Sequence, residues 1–141
     1  MDWQELSATS HYQTAQEIEQ ELERGNIQEA SAGLKELIEA LGRSEKRALK
    51  SHLTRLMAHV IKWKTQPEKR SRSWIATIYN AREEIKDIQE ETPSLTNEII
   101  DEVWAKCFQA AKREAEAEMN LDSLVIELSW EEVFENKYSL D

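Results

Sequence analysis

A ligand could best bind near the stretch from Lys62 to Trp74, where basic, aromatic, hydroxyl and amide side chains follow one another closely. His59, one helical turn before Lys62, could contribute as well. Ammonium and guanidinium groups beside hydroxyls can bind a phosphate or a carboxylate, and the free backbone N–H groups of a helix that begins there would add to the attraction. The pattern therefore indicates a candidate anion-binding or partner-binding site made of His59, Lys62, Gln66, Arg70, Ser71, Arg72 and Ser73.

The arginines of this stretch also have a structural interpretation. Arg70 and Arg72 would then pair with acids elsewhere in the chain and hold a helical hairpin together, with Trp63 and Trp74 as the structural core of the hairpin. The acids considered are Glu36, Glu39 and Asp101. We favour the structural interpretation, and the sequence leaves both open.

The sequence shows no residue pattern typical of catalysis or metal binding. His52 and His59 stand seven residues apart, about 10 Å along a helix, which is too far to share one metal ion without further ligands. Cys107 occupies a periodic apolar position, which predicts a small buried side chain. We therefore predict no catalytic residue, no metal and no cofactor. An enzyme that works through His59, Arg70 and Arg72 is the interpretation we favour least.

The charge of the chain is unevenly distributed. The net charge is -10, yet residues 43–72 contain ten of the eighteen Lys and Arg residues and only two acids, Glu45 and Glu68. Most of the surface must therefore repel phosphate, so only this basic segment could bind nucleic acid.

Composition and apolar spacing predict an all-α protein, because three glycines and two prolines are too few for many turns and strands. Helices are predicted over residues 11–24 and 27–41, from Ser44 to just before Pro67, from a cap at Ser71 or Ser73, and from Thr92 to about Met119. Residues 121–128 are expected to be extended. Ser129 and Glu132 then form a capping box that opens a short helix.

These elements predict a compact antiparallel helical bundle of four to five main helices with a short C-terminal helix. Two apolar seams of matching spacing predict a hairpin with Trp63 and Trp74 stacked near its closed end. The seams are Leu49, Leu53, Leu56, Val60 and Trp63, and Trp74, Ile78, Ala81, Ile85 and Ile88. Residues 1–10 lack periodicity and predict a flexible N-terminal arm before a single helical domain at residues 11–138.

Several short motifs resemble those of a known family. They are Leu-Gly-Arg-Ser-Glu-Lys-Arg at 41–47, His-Val-Ile-Lys-Trp at 59–63, Gln-Pro-Glu-Lys-Arg-Ser-Arg-Ser-Trp at 66–74 and Thr-Pro-Ser-Leu at 92–95. In this order they resemble the DUF29 family over about residues 12 to 138. The resemblance implies a helical bacterial protein, of a family most numerous in cyanobacteria, with no assigned function. One departure is that residues 30–39, where the family usually has an acidic, asparagine-containing patch, retain only Glu36 and Glu39.

The sequence therefore favours a non-enzymatic helical interaction or regulatory module, with a homodimer as one form. The alternative is an anion-binding or nucleic-acid-binding protein that uses the basic segment 43–72. A protein partner or a second copy is the expected partner, ahead of nucleic acid, and no membrane is expected. We expect a cytoplasmic protein, because the sequence has no signal peptide, no apolar run of about 18 residues and a single cysteine.

Overall fold

The computed structural model describes all 141 residues and shows helices without any strand, which confirms the all-α fold class. The helices are α1 (Trp3–Thr9), α2 (His11–Glu23), α3 (Ile27–Thr65), α4 (Arg72–Glu91) and α5 (Asn97–Met119), with a 3-10 turn at Pro67–Lys69 and a π-helical turn at Glu131–Glu135. The chain divides into a first unit, Met1–Arg47, and a second unit, Ala48–Asp141. The single helical domain predicted for residues 11–138 stays a prediction. No helix combines the length and the apolar character that crossing a membrane requires.

Helix α3 covers both the helix predicted over residues 27–41 and the helix predicted to begin at Ser44. The predicted end at Gly42 and the predicted new start at Ser44 are wrong, because α3 is continuous from Ile27 to Thr65. A glycine ends a helix readily when it adopts a left-handed conformation, as Gly25 does after α2 with a φ of 82°. Gly42 keeps helical geometry, and one exposed glycine costs a helix only about 1 kcal/mol relative to alanine.

The first ten residues, predicted to be a flexible N-terminal arm, form a helix over most of their length. Asp2 caps α1 by accepting a backbone N–H at 3.1 Å, and Trp3 packs with Ile18 and Ala30 in a small buried cluster. Gly33 makes room for the indole, since a Cβ there would lie 2.8 Å from ring atoms of Trp3. Two helical turns are too short to show a period, so no periodic pattern predicted α1.

The second unit is built around the two predicted seams. The α3 seam from Leu49 to Trp63 is buried, and so are the α4 seam residues from Ile78 to Ile88. Trp74 is only half-buried. The connection between the helices is short, and both seams except their tryptophans belong to one core cluster with α5 residues, so α3 and α4 form the predicted hairpin.

The connections show which sequence signals determine helix ends. Helix α3 ends before Pro67, as predicted. Of the two predicted caps of α4, Ser71 and Ser73, it is the Ser71 hydroxyl that accepts the Trp74 N–H, at 3.2 Å. The predicted start of α5 at Thr92 is wrong. The Thr92 N–H instead bonds the Ile88 carbonyl at 2.8 Å and closes α4. Helix α5 therefore begins after a turn, at Asn97.

The C-terminal segment follows the prediction closely. Residues 122–129 form no helix, and the predicted capping box is present. The Ser129 N–H donates to Glu132 at 2.9 Å, and the Glu132 N–H donates to the Ser129 hydroxyl at 3.1 Å. The box opens the π-helical turn, whose Val133 is fully buried.

Candidate functional site

A cleft of about 720 Å³ lies in the second unit, between α3, α4 and α5. It is lined by four basic side chains, two acids, four hydroxyls, one histidine, one cysteine and one alanine. They are Lys50, Arg55, Lys62, Lys106, Glu114, Glu118, Ser51, Thr54, Ser73, Thr77, His59, Cys107 and Ala110.

Three helical rows with regular spacing bring these residues together. Helix α3 supplies polar residues at 51, 55, 59 and 62, a stripe that runs beside its apolar seam. Helix α5 supplies residues 106, 110, 114 and 118, and α4 supplies 73 and 77. Residues four apart lie on one face of a helix, so each helix turns a continuous row toward the cleft.

Lys62 is the most enclosed charge of the cleft. Its Nζ lies 2.6 Å from a carboxylate oxygen of Glu118 and 5.3 Å from the centroid of the Trp74 ring. A buried ammonium group is costly without a partner, and these contacts supply a carboxylate and an aromatic face. Lys62 therefore ties α3 to both α4 and α5.

His59 is half-buried one turn before Lys62, and its Nδ1 lies 3.0 Å from the Arg55 carbonyl oxygen. Because a carbonyl can only accept, Nδ1 carries the proton in this bond, and Nε2 of a neutral ring keeps its lone pair. Burial lowers the pKa of His59; the bond to Arg55 opposes this effect, and the charge of Lys62 adds to it. His59 is therefore neutral at pH 7.

Cys107 lies at the cleft wall but has the character of a core residue. It is 3% exposed, as the sequence predicted, and its Sγ lies 3.7 Å from the Lys50 carbonyl oxygen. Burial raises the pKa of the thiol, while Thr54, Lys50 and Lys106 lower it only in part. The thiol is therefore protonated and weakly nucleophilic. No group of three or more His, Cys, Asp or Glu side chains is arranged to hold a metal ion.

The cleft has a positive surplus in an acidic chain. Four basic residues against two acids leave two positive charges in excess, although the chain carries a net charge of -10. Of the four basic residues, only Lys62 forms an ion pair. Lys50, Arg55 and Lys106 thus have charges that no acid of the protein compensates at close range.

Only part of the predicted site reaches this cleft. His59, Lys62 and Ser73 line it, whereas Gln66, Arg70, Ser71 and Arg72 do not. Gln66 is buried, Ser71 caps α4, and Arg72 is exposed without a side-chain hydrogen bond or an ion pair.

The contacts of the two arginines at the closed end of the hairpin, between α3 and α4, differ from those that the structural interpretation predicted. Arg70 pairs with no acid; its Nε donates to the Trp63 carbonyl at 2.9 Å, and its guanidinium lies 4.6 Å from the Trp63 ring centroid. Trp63 is 6% exposed, but it does not stack on Trp74 as expected. Tyr138 of the C-terminal segment packs edge-on against Trp63 instead, with centroids 5.3 Å apart.

The sequence analysis included Lys50 and Arg55 only as part of the basic segment 43–72, and it missed Lys106, Glu114 and Glu118 altogether. The signal was present as rows of mostly polar residues spaced by four: Ser51, Arg55 and His59 on α3, and Lys106, Glu114 and Glu118 with Ala110 between them on α5. Each row alone is typical of a solvated helix face. Only the packing of three helices shows that the rows converge.

A family model described as "Domain of unknown function DUF29" matches residues 8–139. No curated protein and no solved structure matches the chain. The match covers nearly the whole sequence, so the chain belongs to the DUF29 family, as its motifs indicated. The family description assigns no activity.

Proposed function

We propose that this member of the DUF29 family is a non-enzymatic binding module that takes up a small anionic ligand, carrying a phosphate or a carboxylate group, in the cleft between α3, α4 and α5. The observation that supports it is that Lys50, Arg55 and Lys106 line a concave surface without an acidic partner. Their charge is therefore available to a ligand.

The composition of the cleft suits such a ligand. A guanidinium can hold two oxygens of a phosphate or carboxylate at once, which suits Arg55, and an ammonium adds charge without fixed geometry. The four hydroxyls that line the cleft can donate further hydrogen bonds. Its volume of about 720 Å³ lies within the range of about 300–1,000 Å³ typical of small-molecule sites.

The charges around the cleft favour a small anion over nucleic acid. A polymer would place further phosphates against a chain of net charge -10, which repels them. Lys50, Arg55 and Lys62 belong to the basic segment 43–72, for which the sequence indicated an anion or a nucleic acid as the ligand. Of these two, we propose the small anion.

Two contacts support a binding role without catalysis. The side chains with catalytic potential, His59 and Cys107, each bond a backbone carbonyl and not each other. The buried thiol is protonated at neutral pH, so it lacks the activation that covalent catalysis needs. We expect the module to work in the bacterial cytoplasm, where a single buried thiol stays reduced.

Calorimetric titration with inorganic phosphate and with citrate at low salt tests the proposal. We expect saturable binding that the double variant Arg55→Gln, Lys106→Gln weakens by about tenfold or more, because it removes two of the three unpaired charges. The matched control is Lys69→Gln, Arg72→Gln, which removes two exposed basic residues outside the cleft.

The control variant shows whether the loss of affinity comes from the cleft residues or from the lower positive charge of the whole protein. Equal weakening in both double variants would contradict a cleft site. A short single-stranded RNA that binds more tightly than phosphate, with an affinity that falls steeply with salt and depends on Lys69 and Arg72, would support the nucleic-acid alternative instead.

A further inference from the structure

The first unit has a core that is small for its length. Its buried apolar cluster consists of Trp3, Ile18 and Ala30, with Leu6 and Leu37 partly buried beside them. Seven large apolar side chains of this unit are exposed, against five in the second unit, whose cluster has twenty buried members. The exposed seven are Met1, Tyr12, Leu22, Ile27, Leu34, Ile38 and Leu41. A unit of 47 residues can bury little surface by itself and often depends on association.

Four of these side chains form one continuous face. Ile27, Leu34, Ile38 and Leu41 follow each other on α3 at intervals of seven, four and three, the spacing of a helix–helix seam. We call this set the α3 stripe. Ile27 is 60% exposed, Leu34 48% and Ile38 61%. The stripe spans about 21 Å of helix, long enough for three layers of side chains from a second helix.

We propose that the α3 stripe is the contact between two copies of this chain in a homodimer. In a two-fold symmetric dimer the same face meets itself, so the face must be apolar and must not repel its own charge. The helix-surface neighbours of the stripe are the uncharged Ser31 and Gly42, together with Lys35 and Glu45, which carry opposite charges. The stripe is thus a neutral apolar face on a chain of net charge -10, where two acidic molecules can approach with little repulsion.

A second copy fits this face better than a charged partner. A strongly basic partner would be drawn to the acidic surface elsewhere, and a strongly acidic one would be repelled by it. A second stripe offers the same length, the same apolar spacing and the same balanced flank. The proposal concerns the first unit alone, so it does not depend on the ligand proposed for the cleft.

Sedimentation velocity at protein concentrations from about 1 to 100 μM tests the dimer. We expect the wild-type mass to rise toward twice that of the chain, and the double variant Leu34→Gln, Ile38→Gln to stay monomeric throughout. The matched control is Leu124→Gln, Ile126→Gln, which changes two aliphatic side chains that are 95% and 81% exposed in the second unit. The control should dimerise like the wild type.

A cysteine variant tests the same contact by crosslinking, in case the Leu34→Gln, Ile38→Gln variant loses helix content. Leu34→Cys places a thiol near the centre of the stripe, and mild oxidation should join two chains there, whereas Leu124→Cys should crosslink far less. The native Cys107 is buried and should not contribute. A wild-type protein that stays monomeric at the highest concentration would overturn the proposal, and so would equal crosslinking at both positions.

Discussion

The Lys62–Glu118 pair joins two side chains with very different access to water. The Lys62 side chain is 8% exposed and that of Glu118 is 48% exposed. Removing the carboxylate leaves a buried ammonium without its counter-charge, whereas removing the ammonium leaves a carboxylate that water can reach. The two halves of this ion pair should therefore contribute unequally to stability.

We predict that Glu118→Gln lowers the free energy of unfolding by about 1 to 3 kcal/mol and that Lys62→Met lowers it by less. Urea unfolding of both variants measures the difference. The double variant should resemble Lys62→Met, because the unpaired buried charge is then gone. A larger loss in Lys62→Met than in Glu118→Gln would show that the ammonium is not enclosed as described.

His59 gives the site a dependence on pH. Its pKa in the folded chain lies below the ordinary value of about 6.5, chiefly because of burial. The unfolded chain therefore binds a proton more readily, so the His59 contribution to stability is present above pH 6.5 and is lost as the pH falls below it.

An NMR titration of the imidazole protons should place the pKa of His59 below 6.5, with His59→Gln identifying its signals. The same variant should show a flatter decline of stability between about pH 6.5 and 5 than the wild type. A pKa at or above the ordinary value would contradict the burial of the ring, because burial is the main cause of the lowered pKa.

At the scale of elements, the two glycines inside α3 have opposite roles. Gly33 lies under the Trp3 ring, where a Cβ would come within 2.8 Å of ring atoms and 2.9 Å of Ile18. Gly42 has no atom within 4 Å of the position that a Cβ would take. Alanine therefore fits at one position and not at the other.

We predict that Gly42→Ala raises the free energy of unfolding by about 0.5 to 1 kcal/mol, because alanine is the better helix former at an open position. Gly33→Ala should lower it by about 1 to 3 kcal/mol by displacing Trp3. Thermal unfolding followed by circular dichroism measures both. If Gly42→Ala were destabilising, Gly42 would have to adopt a left-handed conformation, and α3 would be interrupted there.

The elements differ in how well their sequence signals predict them. The seams and the capping box at Ser129 are local patterns that the sequence contains in full, whereas the cap of α4 was narrowed only to Ser71 or Ser73. The continuity of α3 at Gly42 and the late start of α5 depend on packing and on competing caps, which local patterns do not reveal. Of the residues that line the cleft, only His59, Lys62 and Ser73 were among the predicted site residues. The others belong to helix faces whose sequence pattern is typical of solvent-exposed faces, and only the packing of three helices brings them together.

At the scale of the whole molecule, the two units differ in the size of their cores and in the character of their exposed surfaces. The second unit has a core of twenty buried residues and a cleft with unpaired basic side chains. The first unit has a buried core cluster of three residues and a neutral apolar stripe. These differences are the basis for the two proposals, ligand binding by the second unit and self-association by the first.

The most direct test of the central claim is a phosphate titration followed by amide chemical shifts in ¹⁵N-labelled protein at low salt. The cleft model predicts saturable shifts concentrated at residues 50–62 and 106–118, with smaller changes at 73–77, and their loss in the Arg55→Gln, Lys106→Gln variant. Shifts that centre on the exposed turn at residues 67–72, or that spread over all basic residues without saturation, would contradict the claim that the cleft is the binding site.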